Sequence, residues 1–307
     1  MKRFVFVAVI FFLCLRLHAE LFFTPDMISS HLKSYSTDEI KMIEKDLKVI
    51  RSVCLDDVKV SEDRFYLATA GAPGARKTTI LERFVNDHTE YQNGAYLDPD
   101  ARTLRFMVHT YYQSLSPFII SNSVKYDDII KYAYDKWRSG SHYIVLSLLE
   151  EAFAVRNSII FGTTSTGAHL PTFFSNLKKN NYKIVLLLCS CLDSVRYDAV
   201  NYRNSVIRFY QSSPEDALSK GLIFSERMEV YFKYADKLYF YWTDGLFGPE
   251  RLCGIWSDGN LEVNDKQAMQ SFIDKYEEDR KILKSKDIII RAFDSLLGGN
   301  KNLASNR

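Results

Sequence analysis

A nine-residue segment, residues 71–79, limits the folds open to this chain more than any other part of it. It reads Gly-Ala-Pro-Gly-Ala-Arg-Lys-Thr-Thr, follows an apolar run at residues 65–70 and precedes apolar residues at helical spacing. A strand, a glycine-bearing loop and a helix start, in that order, are the context that a phosphate-binding loop requires. The segment therefore predicts a phosphate site at the end of a strand.

Each part of such a loop has a separate task. Backbone N–H groups and the helix start bind phosphate oxygens, a lysine reaches the β and γ phosphates, and a hydroxyl binds Mg²⁺. We assign the lysine role to Lys77 and the hydroxyl role to Thr78, and we expect ATP and Mg²⁺ as cofactors. The predicted cofactor-binding residues are Gly71, Gly74, Ala75, Arg76, Lys77, Thr78 and Thr79.

Arg76 departs from the full motif, in which a glycine stands directly before the lysine. A side chain at this position could obstruct the close approach of phosphate, whereas an outward-pointing arginine could add positive charge to the site. The alternative interpretation of the whole segment is a loop that ends a strand and binds no nucleotide.

Strand-like and helical patterns alternate along the middle of the chain. Predicted strands lie at residues 65–70, 95–97, 158–161 and 183–189, and predicted helices at 101–115, 126–156 (interrupted near Ser139 and Gly140), 170–179 and 194–210. This alternation is typical of parallel sheets with right-handed crossovers. We therefore predict an α/β fold, a three-layer α/β/α P-loop NTPase with a mostly parallel sheet. Two more strand-like runs, 237–242 and 252–256, could extend the sheet in the antiparallel direction.

Helical patterns flank this region, and they set the predicted domain limits. We expect a signal peptide at residues 1–19, a helical N-terminal segment at 20–60, a P-loop domain at 61–262 and a C-terminal helix at 263–307. In the N-terminal segment, Ser36, Thr37 and Asp38 are candidate helix N-caps. Along the C-terminal helix, apolar residues at helical spacing indicate packing rather than a partner site; they are Phe272, Tyr276, Ile282 and Ile288.

Residues 1–19 have the pattern of a secretory signal peptide. Lys2 and Arg3 precede an apolar run from Phe4 to Leu15, and Ala19 offers a cleavage site. The run is shorter than the roughly 20 residues of a membrane-spanning helix, so we expect export and no stable membrane span, with an uncleaved tether as the alternative. Cleavage changes the formal net charge from +2 to −1, and no basic excess points to nucleic acid as a partner.

Four cysteines remain after cleavage, because Cys14 lies in the signal. An even number is compatible with disulfides in an oxidising compartment. Cys189 and Cys191, however, end an apolar run where buried free thiols are common, and they lack the second Cys or His pair of a zinc site. Disulfides at Cys54, Cys189, Cys191 and Cys253 are therefore left open.

The phosphate-loop segment, Asp98-Pro99-Asp100 after the second strand, and Gly162-Thr163 after the third together resemble the zeta-toxin family. The resemblance spans roughly residues 64–245. It implies a P-loop kinase that uses ATP to phosphorylate UDP-N-acetylglucosamine, and it implies an antitoxin that masks the ATP site.

The resemblance also implies roles for individual residues. Asp100, which lies 23 residues after Lys77, would be the catalytic base, because an aspartate near the phosphate loop can accept the proton of an acceptor hydroxyl. Asp98 would lie beside it, in contact with substrate or Mg²⁺. The alternative is that both aspartates only cap the helix that begins near Ala101.

Further residues complete the predicted site. The implied catalytic set is Asp100, Lys77, Arg203 and Arg208, and the substrate-binding set is Asp98, Gly162, Thr163 and Thr164. Either arginine could instead lie on a solvated helix face. Phe161 replaces the glutamate that the family has before the glycine, and a phenyl ring cannot accept a hydrogen bond from a sugar hydroxyl. Ser165, Thr166 and His169 could supply polar contacts there, or could only form the turn and helix start.

These inferences predict an ATP-dependent phosphotransferase that acts on a hydroxyl of a nucleotide sugar or a related small molecule. The alternative, motivated by Arg76 and Phe161, is a catalytically impaired zeta-like module that binds a nucleotide or a protein. Expected partners are ATP, an acceptor such as a UDP-sugar, and an antitoxin or host protein. ATP is scarce outside cells, so an exported kinase would lack its phosphate donor there. Export and kinase activity are compatible if the chain is a secreted effector that acts inside another cell.

Overall fold

A seven-stranded sheet forms the centre of the computed structural model, which describes residues 22–115, 126–207 and 209–284. The strand order is β2-β3-β1-β4-β5-β6-β7. These strands are β1 (Phe65–Ala70), β2 (Ala95–Leu97), β3 (Ile159–Phe161), β4 (Lys183–Cys191), β5 (Lys237–Thr243), β6 (Glu250–Ser257) and β7 (Asn260–Val263). Strands β1 to β5 pair with one another in parallel, whereas the β5–β6 and β6–β7 pairs are antiparallel. This mostly parallel sheet confirms the predicted α/β fold.

Helices cover both faces of this sheet. They are α1 (Pro25–Ser30), α2 (Thr37–Leu55), α3 (Lys77–Asp87), α4 (Tyr126–Ala154), α5 (Leu170–Lys179), α6 (Asp193–Tyr202), α7 (Pro214–Glu226), α8 (Met228–Tyr234) and α9 (Lys266–Lys284). Short 3-10 turns lie at Thr89–Tyr91 and Leu104–Phe106, and π-helical turns at Pro99–Thr103 and Arg203–Ile207. No helix within this described part of the chain has the length and hydropathy needed to span a bilayer.

The two faces of β1 belong to different hydrophobic cores, because side chains alternate along a strand. Tyr66 and Ala68 join a large core that also contains residues of α4, α5 and α9. Phe65 and Leu67 join a smaller core against α3 on the opposite face. The result is the three-layer arrangement that the sequence predicts.

The strand order also places the loops that carry polar residues side by side. β1 is hydrogen-bonded to β3 on one side and β4 on the other, all parallel. Residues 184–188 of β4 are fully buried, as expected for a central strand that is covered on both faces. In such sheets ligands bind at the carboxyl ends of the strands, which here bear the loops after residues 70, 97 and 161.

Helix α4 is continuous through Ser139 and Gly140, so the predicted interruption at these residues is wrong. Gly140 instead lets α2 approach α4: a Cβ at this position would lie 3.1 Å from Cδ1 of Ile43. The glycine serves helix packing and does not break the helix.

The predicted helix at residues 101–115 is also wrong in its first half, where a π-helical turn and a 3-10 turn replace it. Buried Asp46 on α2 accepts hydrogen bonds from the His109 N–H (2.8 Å) and the Thr110 hydroxyl (2.6 Å). The His109 N–H therefore donates to a distant side chain and not to the carbonyl one turn earlier, as it would in a continuous helix.

Several predicted boundaries differ from the observed ones. The helix predicted at 194–210 ends as α6 at Tyr202, and the N-terminal helical region consists of α1 and α2. Ser36 is the N-cap of α2 and forms a capping box with Glu39, which confirms one of the three candidates. Strand β7 was not predicted.

In α9, Phe272 and Tyr276 are buried as predicted, whereas Ile282 is 44 % exposed. Residues 285–307 of the predicted C-terminal helix, Ile288 among them, lie outside the described residues. The predicted signal peptide and Arg208 lie outside them as well. Cys54, Cys189, Cys191 and Cys253 are free, buried thiols.

Candidate active site

Two glycines give the loop between β1 and α3 its shape. Gly71 has φ +145° and Gly74 has φ +86°, a region that side chains rarely allow. A Cβ on Gly71 would overlap the carbonyl oxygen of Cys189, and one on Gly74 would lie 2.7 Å from the carbonyl oxygen of Arg196. The loop therefore packs tightly between the end of β4 and helix α6, with the N-terminus of α3 behind it.

Arg76 adopts the left-handed conformation that the motif's glycine would adopt (φ 55°, ψ 26°). Its side chain is held by the first residue of β6 and by the β5–β6 segment, residues 244–249. Nε lies 2.6 Å from Oε1 of Glu250, and Nη1 donates to the carbonyl oxygen of Leu246 at 3.1 Å. Glu250 also pairs with Arg83 of α3 at 2.8 Å. The guanidinium is thus anchored to Glu250, whose side chain is almost fully buried.

Lys77 is partly buried at the start of α3, and its Nζ donates to the carbonyl oxygen of Ala72 at 2.8 Å. Burial lowers the pKa of Lys77 to about 8, and the positive charge of Arg203 adds to this, while Cys189, Asp98 and Asp100 act in the opposite direction. The ammonium group of Lys77 is thus hydrogen-bonded to a neutral carbonyl of its own loop. A buried charge of this kind is stabilised when an anion binds next to it. This environment fits a nucleotide phosphate.

Asp98 caps the turn that follows β2. Its Oδ1 accepts from the backbone N–H groups of Asp100 (2.7 Å) and Ala101 (2.6 Å), as the capping alternative requires. Its Oδ2 lies against Gly162, where any Cβ would overlap it. Burial, together with the charge of Asp100, raises the pKa of Asp98 to about 6.

The raised pKa of Asp98 predicts a pH effect on stability. Between the ordinary pKa of 3.8 and about 6, the folded state holds a proton that the unfolded state has lost, so ionisation of Asp98 costs stability as the pH rises through this window. We expect the free energy of unfolding of Asp98→Asn to rise by about 2 kcal/mol relative to that of wild type between pH 4 and pH 7. Urea unfolding across this range measures the difference, and any constant effect of the amide cancels. If the free energies of unfolding of the two proteins changed with pH in parallel, the buried environment assigned to Asp98 would be contradicted.

Asp100 faces the same cavity and is paired with an arginine that the sequence did not suggest. Nη1 of Arg138, on α4, lies 2.8 Å from Oδ1 of Asp100. Asp100 does not share the capping role, so that alternative holds for Asp98 alone. Because α4 follows β2 by more than twenty residues, no local motif could have indicated this ion pair.

Arg203 lies at the start of the π-helical turn and lines the cavity. Its Nη2 donates to Oγ of Ser212 at 3.1 Å. Burial lowers the pKa of Arg203, while the negative charge of Asp100 opposes this effect. Arg105 adds a further cation to the cavity lining and stacks 4.4 Å from the ring centre of Phe209. The structure therefore brings Lys77, Asp98, Asp100 and Arg203 together.

The turn after β3 is tied to the phosphate loop. Thr69 exchanges two hydrogen bonds with Thr163: its Oγ1 donates to the Thr163 carbonyl (2.6 Å) and accepts from the Thr163 N–H (3.0 Å). The Thr164 carbonyl accepts from the Gly71 N–H at 3.0 Å. These bonds fix Gly162, Thr163 and Thr164 beside the loop.

The remaining residues of this turn have mixed roles. Ser165 Oγ donates to the Thr69 carbonyl at 2.7 Å, and the Thr164 and Thr166 hydroxyls lie 2.9 Å apart. His169 stands at the start of α5 with no side-chain capping bond. Phe161 lines the cavity and packs against Tyr66, so an apolar ring occupies the position of the expected glutamate.

Of the predicted site residues that the structure describes, all except Gly71 and Ala75 line one cavity of about 700 Å³. Its volume is in the range of small-molecule sites. Two aromatic residues that the sequence did not suggest, Tyr202 and Phe247, complete one side of it. Within the described ranges no cluster of three or more His, Cys, Asp or Glu side chains could hold a metal; Mg²⁺ at a phosphate loop binds mainly to nucleotide oxygens and water, and Thr78 lines the cavity.

Comparison with known proteins gives one consistent result. No protein-family model and no curated protein matches the chain. A chain of the PezAT chromosomal toxin–antitoxin system of Streptococcus pneumoniae has a similar fold, with TM-score 0.52 and 15% identity, over 82% of this chain and 98% of that chain. The structure of AvrRxo1-ORF1:-ORF2 with ATP has TM-score 0.51 and 11% identity, over 81% of this chain and 76% of that one. At such identity the likeness concerns the fold, which is a zeta-toxin-like P-loop kinase fold.

Proposed function

Starting from this kinase-type toxin fold, we propose that the chain is an ATP-dependent phosphotransferase that acts on a hydroxyl of a nucleotide sugar or a related small molecule. The observation that carries the proposal is the presence of Lys77 and Asp100 in one cavity beside the phosphate loop. Phosphoryl transfer needs mainly positioning and charge stabilisation, and these two groups could supply the phosphate contact and the proton acceptor.

In this proposal the chain's own residues divide the work. The loop amides and Lys77 bind the β and γ phosphates, and Thr78 offers its hydroxyl to Mg²⁺, which neutralises phosphate charge when bound. Asp100 accepts the proton of the acceptor hydroxyl. Arg203 stabilises the charge on the transferred group.

The charge around Asp100 supports an anionic acceptor. Arg105, Arg138 and Arg203 line the cavity. Arg138 is paired with Asp100 at 2.8 Å, and the negative charge of Asp100 also acts on Arg203. Arginine is suited to planar contacts with phosphate oxygens. A diphosphate-linked sugar would place its phosphates on these guanidinium groups and would compete with Asp100 for Arg138.

A second candidate function is a zeta-like module that binds nucleotide but does not transfer phosphate. Phe161 favours it, since this ring lines the cavity where the family's glutamate would bind a sugar hydroxyl. Arg76 gives it less support, because its side chain is engaged by Glu250 and Leu246.

We also propose export through residues 1–19 and action as a toxin or effector inside another cell. One structure with this fold is, by name, part of a toxin–antitoxin system, which supports an antitoxin partner for this chain as well. Fractionation that finds only full-length precursor inside the producing cell would argue against export.

The direct test is transfer of label from [γ-³²P]ATP with Mg²⁺ by the purified protein that begins at residue 20. We expect label on a nucleotide sugar, with UDP-N-acetylglucosamine as the first acceptor and its free sugar as the matched control without phosphates. Transfer to the nucleotide sugar but not to the free sugar would support both the reaction and the arginine contacts. Binding of ATP without transfer to any acceptor would favour the noncatalytic module.

A further inference from the structure

The rim of the cavity carries an aromatic pair that the proposed phosphate and acceptor contacts do not use. The rings of Tyr202, at the end of α6, and Phe247, in the β5–β6 segment, meet edge to face with their centres 5.1 Å apart. Both residues line the cavity. Phe247 is nevertheless 73 % exposed, which is unusual for a phenylalanine whose ring is already held by a neighbour.

Both segments that carry this pair touch the phosphate loop. The Leu246 carbonyl, adjacent to Phe247, accepts the hydrogen bond from Arg76 at 3.1 Å. The backbone of Arg196, on the same helix as Tyr202, lies against Gly74. The aromatic pair is therefore connected to the loop on two sides, with one segment from the sheet edge and one from a helix.

We infer that Tyr202 and Phe247 form the stacking site for the nucleobase of the phosphate donor. The inference rests on the proposed function and specifies one part of that site. In a nucleoside triphosphate only a ribose separates the base from the phosphates, so a ligand with its phosphates on Lys77 carries its base to the edge of the same loop. An exposed aromatic ring offers a surface that any base can stack on, since every base has a π face.

The contact would contribute to affinity and leave the chemistry unchanged. Removal of an aromatic side chain on which a base stacks lowers affinity by roughly tenfold. Inorganic tripolyphosphate has the phosphates of ATP but no base. Its binding should depend on Lys77 and be independent of Phe247.

The test compares Mg·ATP and Mg·tripolyphosphate by calorimetric titration of wild type, Phe247→Ala and Phe247→Trp. We expect Phe247→Ala to weaken ATP about tenfold while tripolyphosphate stays within about twofold, and Phe247→Trp to retain ATP affinity. Tyr132→Ala is the matched control, because this aromatic residue is also largely exposed, at 62 %, but does not line the cavity; it should bind both ligands as wild type does.

The possible results separate this inference from the function on which it rests. ATP binding that requires Lys77 but is unchanged in Phe247→Ala would overturn the stacking site alone. Equal losses for ATP and tripolyphosphate would also overturn it, since they would indicate a disturbed phosphate loop. An effect of Phe247→Ala only on the acceptor or on a protein partner would do the same. Wild-type protein that binds neither ligand would overturn the proposed function and the stacking site together.

Discussion

Lys77→Met is expected to abolish ATP binding and to make the protein more stable at the same time. The ammonium group is the buried cation of the phosphate loop, and its loss should lower phosphoryl transfer by roughly 10³-fold or more. Methionine fills a similar volume without charge. Activity, calorimetric ATP titration and urea unfolding on the same protein measure the three effects.

The gain in stability follows from the pKa of Lys77, which burial lowers from 10.5 to about 8. Between these two values the unfolded chain still binds a proton that the folded protein has released, so wild-type stability rises with pH across this window. Below pH 8 the folded protein carries the full cost of a buried charge. We therefore expect Lys77→Met to be more stable by about 1–3 kcal/mol at pH 7, with the difference disappearing towards pH 10.5.

A matched control separates the buried lysine from lysine in general. Lys131 on α4 forms an exposed ion pair with Asp135 at 2.6 Å, and Lys131→Met should leave both ATP binding and activity unchanged. Lys77→Met that binds ATP with wild-type affinity would refute the phosphate-loop assignment. Lower stability with lost binding would leave unfolding as the explanation and contradict the buried-charge account.

Asp100→Asn should remove turnover and preserve ATP binding. The substitution keeps the shape of the side chain but removes the proton acceptor, which typically costs 10²- to 10⁴-fold in rate. ATP affinity should change by less than about threefold, because Asp100 lies across the cavity at the acceptor side in the proposed mechanism. Initial rates with saturating ATP, together with calorimetric titration, measure the two quantities.

The ion pair with Arg138 makes a control necessary for this variant. Asp135→Asn also neutralises one member of an ion pair, yet that pair on α4 is exposed and neither residue lines the cavity, so its turnover should match wild type. If Asp100→Asn retained more than about a tenth of wild-type turnover, Asp100 would not be the base.

The sequence could predict the parallel part of the fold because local patterns dictate it. The strand at residues 65–70, the short strand at 95–97 and the helix at 170–179 have the predicted bounds. The errors occur where distant contacts overrule local preference. Asp46 accepts bonds from residues 109 and 110, and Gly140 permits the approach of Ile43; neither partner can be identified from nearby residues.

The candidate site shows the same division. The phosphate loop and the pair of aspartates after β2 are each a short local pattern that could be found by motif, and the structure brings them into one cavity. Arg138 and Phe247 could not be found in this way, because each reaches the cavity from an element with no motif of its own. The conformation of Arg76 was equally hidden, since Glu250 lies 174 positions further along the chain.

That anchor of Arg76 affects the order in which the protein can be assembled during synthesis. A nascent chain that has already emerged with β1 and α3 complete still lacks Leu246 and Glu250, the two groups that hold this arginine. Contacts between such distant residues form late, because a long loop must close first. The cavity around the phosphate loop would thus remain immature until the antiparallel edge of the sheet is in place, and a ribosome-bound fragment that ends before β6 should lack an anchored phosphate loop.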